Sequence, residues 1–162
     1  MSDAFFQAQG LSSISFPVAT EITPYALNYA FYGVPKLKYV EMPKVGSSNE
    51  GQLQAAFNSC TALTTVDFSE ASAIVSINTN TFNNTNDNFV VGVPNELYDD
   101  WCEATNWSPL SAHLMKASSF KPLRITVDGD GVNSGSAGLK VTNYNNLPLY
   151  CRRNGTGGWQ SC

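Results

Sequence analysis

The sequence predicts a β-rich repeat solenoid in which short parallel strands from successive repeats stack into one sheet. A capping helix and a small C-terminal antiparallel β appendage are expected to follow. Three observations predict this: a repeat of about 26 residues, strand-type alternation inside each repeat, and a change of pattern after residue 95. The 162 residues fit one domain with an appendage, and we place the two at residues 1–118 and 119–162.

The repeat is visible as columns of apolar residues at a spacing of 25 or 26 residues. Leu11, Leu37 and Leu63 lie 26 residues apart, and three further columns keep this phase with a last step of 25. Units that recur at 20–50 residues bury a shared core by stacking on one another. The three columns are Ile14, Val40, Val66 and Val91; Phe16, Met42, Phe68 and Val93; and Phe31, Phe57 and Phe82.

Each repeat carries one strand signal, in which apolar residues alternate with polar ones and bury one face. We expect a right-handed stack of three to four such strands across residues 11–94. Midway between the strands, Ala30-Phe31 and Ala56-Phe57 predict tight helical or 3₁₀ turns. The outward positions of the ladder read Ser13, Tyr39, Thr65 and Val90 in one column, and Ser15, Glu41, Asp67 and Gly92 in the other.

The segments LSSISFP, LKYVEMP and LTTVDFS, with the turns YAFYGVPKL and AAFNSCTAL, resemble the BspA-type leucine-rich repeats of bacterial and protist surface proteins. The resemblance covers about residues 11–95, with Cys60 at the small apolar position of the repeat. It implies a leucine-rich-repeat solenoid with a role in adhesion or partner binding. The segment VPNELYDDW, followed by NW, is similar to the tails that often follow such repeats.

The segment at residues 95–105 predicts a helix that closes the open end of the solenoid. Leu97, Trp101 and Ala104 have helical spacing, and Asn95 is a suitable N-cap before an acidic first turn. Leu97, Tyr98, Trp101 and Trp107 are expected to cover the last apolar layer, and Ser108 to Ser119 to lead out of the cap.

Residues 120–162 predict three antiparallel strands. These are LRITV, a second strand at Leu139–Thr142 and a third from Leu147 to Arg152, followed by the turn signal Asn154-Gly155. So short a sheet needs packing partners. We therefore expect this segment to dock on the solenoid or on another chain, and to serve in attachment or self-assembly.

Composition argues against several classes of protein. The net charge is −4 and the one basic pair is Arg152-Arg153, whereas nucleic-acid binding needs a basic stripe. No apolar run approaches about 18 residues, so membrane insertion is not expected. MSDAFFQAQG lacks a basic and an apolar signal region, so no signal peptide is expected in this chain.

Catalytic and metal chemistry find little support, so we expect no enzyme, no cofactor and no metal. His113 is the single histidine, and no nucleophile motif accompanies it; we interpret it as a surface or packing residue. The run from Asp128 to Gly131 is similar to a calcium loop. It lacks an acidic residue at Val132 and a Glu at the twelfth place, which favours an Asp-Gly hairpin turn.

The outward ladder carries the predicted partner-binding residues Tyr39, Glu41, Thr65 and Asp67. Glu41 and Asp67 are expected on the exposed side of neighbouring strands about 4.8 Å apart. The two carboxylates would suit an acid–base pair, a shared cation or a basic partner, but solvated surface charge is the favoured reading. Tyr39 is the one candidate for an aromatic anchor on this face, and we expect the partner to be a protein or a surface glycan.

The four cysteines form no zinc motif, because no CxxC is present. Cys60 and Cys102 are interpreted as plain core or cap residues. A disulfide between Cys151 and Cys162 stays open, because it needs a loop wider than an Asn-Gly turn.

Two functions suit such a non-enzymatic module on the outer surface of a particle or cell. The favoured one is a phage virion component, such as a decoration, fibre or receptor-facing protein, since virions are released by lysis and need no leader. The alternative is a fragment of a bacterial cell-surface leucine-rich-repeat adhesin, which would need a leader and an anchor.

Overall fold

The computed structural model describes residues 3–46 and 53–120, and beyond them the backbone pairing of strands at 124–128, 138–142 and 148–151. The chain divides into two compact units, Met1–Ala117 and Ser118–Cys162. In the described part of the chain, no helix has the length and apolar character needed to cross a membrane.

The first unit is built on a sheet of five parallel strands, in the order of the chain. The predicted parallel stack is confirmed, and its register pairs Ile14 with Val40, Val40 with Val66, and Val66 with Val91. Its strands are β1 (Ser13–Ser15), β2 (Tyr39–Glu41), β3 (Thr65–Asp67), β4 (Val90–Val93) and β5 (Leu114–Lys116). Val40, Val66 and Val91 are fully buried. Ile14 is half-buried, because β1 forms one end of the ladder.

Strand β5 corrects the expectation that residues 108–119 merely lead out of the cap. Ser108–His113 form a 3₁₀ helix, and Leu114 then pairs with Val91 beyond the last predicted repeat. The pairing covers the edge of β4, which an open end would leave with unpaired backbone groups. Leu114 follows Val91 by fewer residues than the repeat length, so the periodicity does not predict this strand.

The segments midway between the strands form a second ladder of hydrogen bonds rather than helices. Some N–H groups close turns within their own repeat, as Ala30 does with the carbonyl of Leu27 at 3.1 Å. Alternate N–H groups donate to the next repeat instead, so a continuous helix does not form at the predicted Ala30-Phe31 position. Three backbone N–H groups of the second repeat donate to carbonyl oxygens of the third repeat. These bonds run from Tyr29 to Gln54 at 2.8 Å, from Phe31 to Ala56 at 3.1 Å and from Gly33 to Asn58 at 2.8 Å.

This alternation requires left-handed backbone at fixed positions of the turn. Tyr29 and Gly33 have φ of 55° and 67°, and their counterparts Ala55 and Ser59 have 49° and 62°. Gly33 meets the requirement without the steric cost that a side chain brings. The repeat therefore conserves the backbone shape of the turn even where it does not place a glycine.

Phenylalanine rings from successive turns stack through the core. Phe57 is fully buried, with its ring centroid 5.6 Å from Phe31 and 5.3 Å from Phe82. Phe5 extends the stack at 5.4 Å from Phe31, so the repeats begin before residue 11, where the first one was expected. Such near-parallel rings bury large apolar areas and contribute much of the core energy.

The predicted cap helix is shorter than expected and begins differently. Helix α1 (Tyr98–Glu103) has Leu97, not Asn95, at its N-cap, without a side-chain capping hydrogen bond. Trp101 and Trp107 are fully buried, as predicted. Their indole rings lie 5.7 Å apart in an edge-to-face arrangement and close the last layer.

The second unit contains an antiparallel sheet of β6 (Arg124–Asp128), β7 (Gly138–Thr142) and β8 (Pro148–Cys151), in that order. Its strands lie within a residue or two of the predicted ones. The predicted turn after Asp128, the Asn154-Gly155 turn and Cys162 lie outside the described residues, and the side chain of Cys151 does too.

Candidate functional site

The outward face of the five-stranded sheet brings the four predicted partner-binding residues to adjacent positions. Tyr39 pairs in register with Thr65, and Glu41 with Asp67, across strands β2 and β3. Parallel strands in register place equivalent side chains side by side on the same face. Tyr39, Glu41 and Thr65 are each half-buried. Their role in binding stays a prediction.

Asp67 differs from the expectation of an exposed carboxylate, because only 1% of its surface is accessible. Its Oδ1 accepts hydrogen bonds from the backbone N–H of Ser69 at 2.9 Å and from the Ser69 hydroxyl at 2.5 Å. The carboxylate thus turns back onto its own chain and closes an Asx-type turn after β3. Solvated surface charge was therefore the wrong interpretation for Asp67.

The sequence contains a signal for this turn. Pro17, Pro43 and Pro94 directly follow the strand segment in the other repeats, and Ser69 stands at that position in the third. Proline has no N–H to donate, whereas serine offers both an N–H and a hydroxyl to a carboxylate two residues earlier. The interrupted proline column therefore coincides with the buried Asp67.

Glu41 is linked to the preceding strand, since the hydroxyl of Ser15 donates a hydrogen bond to its Oε2. Glu41 and Asp67 therefore do not form an open pair of carboxylates facing a substrate, as a glycosidase would require. Among the residues that the structure describes, no group of three or more His, Cys, Asp or Glu side chains suits a metal ion.

His113 packs against the aromatic stack. Its ring lies 4.1 Å from that of Phe89 with an interplanar angle of 6°, and its Nδ1 lies 2.9 Å from the Phe89 carbonyl oxygen. The imidazole thus caps the end of the phenylalanine stack, which accords with a packing role for this residue.

The two cysteines with described side chains are free thiols in different surroundings. Cys60 is fully buried and donates to the carbonyl of Phe31 at 3.0 Å; burial raises the pKa of its thiol to about 11. Cys102 is half-buried on the cap helix, where its hydrogen bond to Tyr98 raises the pKa of that phenol. The ammonium of Lys116 lies 4.8 Å from the centre of the Tyr98 ring.

An aromatic cluster lies on the turn side of the repeats, whereas the sequence predicted an aromatic anchor only on the strand face. The rings of Phe6 and Tyr32 stack at 5.3 Å, and Tyr29 lies 6.1 Å from Tyr32. Phe6 is 45% exposed and Tyr29 37% exposed. We call Phe6, Tyr29 and Tyr32 the turn-side cluster. Its signal was available, because Phe6 and Tyr32 occupy the same position of consecutive repeats.

Short parallel strands, one from each repeat unit with the pattern L-x-x-(I/V)-x-(F/M), pair into a ladder. This arrangement defines a leucine-rich-repeat solenoid. The chain belongs to the BspA-type leucine-rich-repeat family, since the family model described as BspA type Leucine rich repeat region (6 copies) matches residues 1–98. The match includes the N-terminal turn at Phe5, before the region of the expected resemblance. No curated protein matches the chain. No solved structure matches it either.

Proposed function

We propose that this chain is a non-enzymatic module that binds a protein partner through the strand face at Tyr39, Glu41 and Thr65. Proteins of its family are typically surface-associated, and leucine-rich-repeat domains usually mediate protein interactions. The observation that carries the proposal is the register of β2 and β3, which sets an aromatic ring, a carboxylate and a hydroxyl side by side. Such a strip offers one aromatic anchor, of the residue type enriched at the energetic centres of interfaces, with polar groups beside it.

The strip rests on a rigid support, which favours recognition without large rearrangement. Behind it lie the fully buried Val40 and Val66. Ser15 holds Glu41 from one side, while the Asp67–Ser69 turn stabilises the end of β3 on the other. Asp67 contributes to this support and is not proposed as a contact residue.

For the biological setting, we propose a component of a phage virion, such as a decoration, fibre or receptor-facing protein. A bacterial cell-surface adhesin is the alternative. The second unit supports an attachment role in either setting. Within its described strands, β6 and β8 each pair on one side, with β7, and a strand with an unpaired side is a template for pairing with another chain.

Binding of the fluorescently labelled protein to intact bacterial cells tests the strand face. The double variant Tyr39→Ala/Glu41→Gln should lower the apparent affinity by about tenfold or more, because truncation of an interface anchor costs roughly 2 kcal/mol. Lys36→Ala, an exposed change outside the strands, is the matched control. Protease treatment of the cells should abolish binding of the unaltered chain. Equal binding by the double variant would contradict the proposed surface.

The setting and the attachment role need separate measurements. Antibody labelling in electron micrographs should decorate virions rather than cell envelopes if the virion proposal holds, and the reverse result favours the adhesin. Removal of residues 121–162 should leave the repeat unit folded by circular dichroism but abolish assembly, measured by light scattering. A truncated chain that assembles like the full one would contradict the attachment role.

A further inference from the structure

The repeat does not require an aromatic ring at the position of Phe6 and Tyr32, which points to another use for these rings. Phe6 and Tyr32 stand at the position that Asn58 occupies in the third repeat. Asn58 is buried and donates its Nδ2–H to the carbonyl of Asn80 at 3.3 Å, so in the third repeat this position helps to join the turns. In the first two repeats it carries stacked rings instead, one of them nearly half exposed.

The cluster is also held in place. Tyr32 is half-buried between Phe6 and Tyr29. The hydroxyl of Tyr29 accepts a hydrogen bond from Nε2 of Gln54 at 3.4 Å. The backbone beneath it is pinned to the next repeat, since Tyr29 N–H donates to Gln54 O at 2.8 Å. Rings fixed in this way lose little entropy when a ligand settles on them.

We propose that the turn-side cluster is a binding site for a neutral oligosaccharide. One face of a sugar ring presents C–H groups with partial positive charge, which complement the negative face of an aromatic ring. The rim of the sugar presents hydroxyl groups, which amides bind readily. Two exposed rings edged by the amide of Gln54 supply both kinds of contact, the combination of apolar surface and a few fixed polar groups that small ligands require.

Charge narrows the class of glycan. Residues 3–35 carry the carboxylates Asp3 and Glu21 and contain no lysine or arginine. Asp3 lies beside the cluster, because its N–H donates to the carbonyl of Asn28 at 3.1 Å, one residue before Tyr29. Both charged residues of this segment are acidic, so its local charge disfavours uronic or sialic acids and is compatible with uncharged sugars.

This site is independent of the strand face. It uses the turn segments rather than β2 and β3. A negative result for one proposed surface therefore leaves the proposal for the other unchanged. The two surfaces together would let one module engage a protein and a glycan at once.

Native affinity electrophoresis of the full chain, in gels containing one soluble polysaccharide each, tests the proposal. Hydroxyethyl cellulose, galactomannan and dextran serve as neutral probes, and alginate as the acidic one. At least one neutral polysaccharide should retard the protein, and alginate should not. The double variant Phe6→Ala/Tyr29→Ala should weaken retardation by at least about tenfold, which corresponds to ~1.4 kcal/mol of lost contact.

Three control variants locate the effect. Tyr29→Phe keeps the ring and should retain most of the binding. Tyr25→Ala removes a tyrosine that is 65% exposed but outside the stacked set, and it should bind as the unaltered chain does. Tyr39→Ala should also leave retardation unchanged, which separates this site from the strand face.

Several results would overturn the proposal: no retardation by any neutral probe, stronger retardation by alginate, or equal retardation of the double variant. Light scattering provides one more result that would overturn the proposal. If the unaltered chain self-associates and Phe6→Ala/Tyr29→Ala does not, the cluster is a contact between copies of this chain rather than a glycan site.

Discussion

The two buried tryptophans of the cap offer a test of how polar groups are satisfied in this core. Trp101 and Trp107 are both fully buried. The indole Nε1–H of Trp107 donates to the carbonyl of Val75 at 2.7 Å. The indole Nε1–H of Trp101 has no acceptor among the described residues. The same change, tryptophan to phenylalanine, therefore removes a hydrogen bond at one site and a buried unpaired donor at the other.

Both variants are expected to change the free energy of unfolding, and the cavity cost that they share cancels when the two are compared. Both variants lose similar volume, a cavity cost of about 1–2 kcal/mol. Trp107→Phe also leaves the Val75 carbonyl without its donor, which adds roughly 1–3 kcal/mol. Trp101→Phe removes a desolvated N–H, which offsets part of the cavity cost. We expect Trp107→Phe to destabilise the protein by about 2 kcal/mol more than Trp101→Phe.

Urea denaturation followed by far-ultraviolet circular dichroism measures both unfolding free energies by linear extrapolation. The comparison requires similar m-values for the two variants. Equal destabilisation, or a larger loss for Trp101→Phe, would refute the reasoning. It would show that the Nε1–H of Trp101 has an acceptor that the described residues do not supply.

Three further predictions concern the core and the turn after β3. Phe57→Ala should cost about 3–5 kcal/mol in unfolding free energy, because it opens a hole in the phenylalanine stack; a loss below about 1 kcal/mol would contradict the stack. Asp67→Ala should cost roughly 1–3 kcal/mol. In a double-mutant cycle Ser69→Ala should add much less in that background than alone, whereas additive effects would show that the two side chains do not interact. For Cys60, the folded pKa of about 11 exceeds the ordinary 9.0, so the native state holds the thiol proton more tightly than the unfolded state. Its contribution to stability should be complete below pH 9 and fall by up to about 3 kcal/mol between pH 9 and 11. Cys60→Ala should flatten that part of the pH profile, and an unchanged profile would contradict the assignment.

The sequence by itself determined the repeat and its register. Steps of 26 and then 25 residues between Val40, Val66 and Val91 bring the same side chain to the same place in each unit. Only stacked parallel strands bury such a column continuously, so the pairing of β2, β3 and β4 follows from periodicity. Trp101 and Trp107 were likewise expected to close the stack, because an open apolar layer requires a cover.

The tertiary structure decided the features that the repeat period does not by itself predict. Strand β5 forms because the edge of β4 needs backbone partners, and that requirement leaves no fixed spacing in the sequence. Asp67 shares its ladder position with Glu41, yet it is buried because Ser69 supplies donors where the neighbouring repeats have proline. The turn-side cluster arises where Tyr29 and Tyr32 of one turn meet Phe6 of the previous one. Periodicity predicts which residues are equivalent, but burial and contact depend on what the neighbouring repeat places beside each residue.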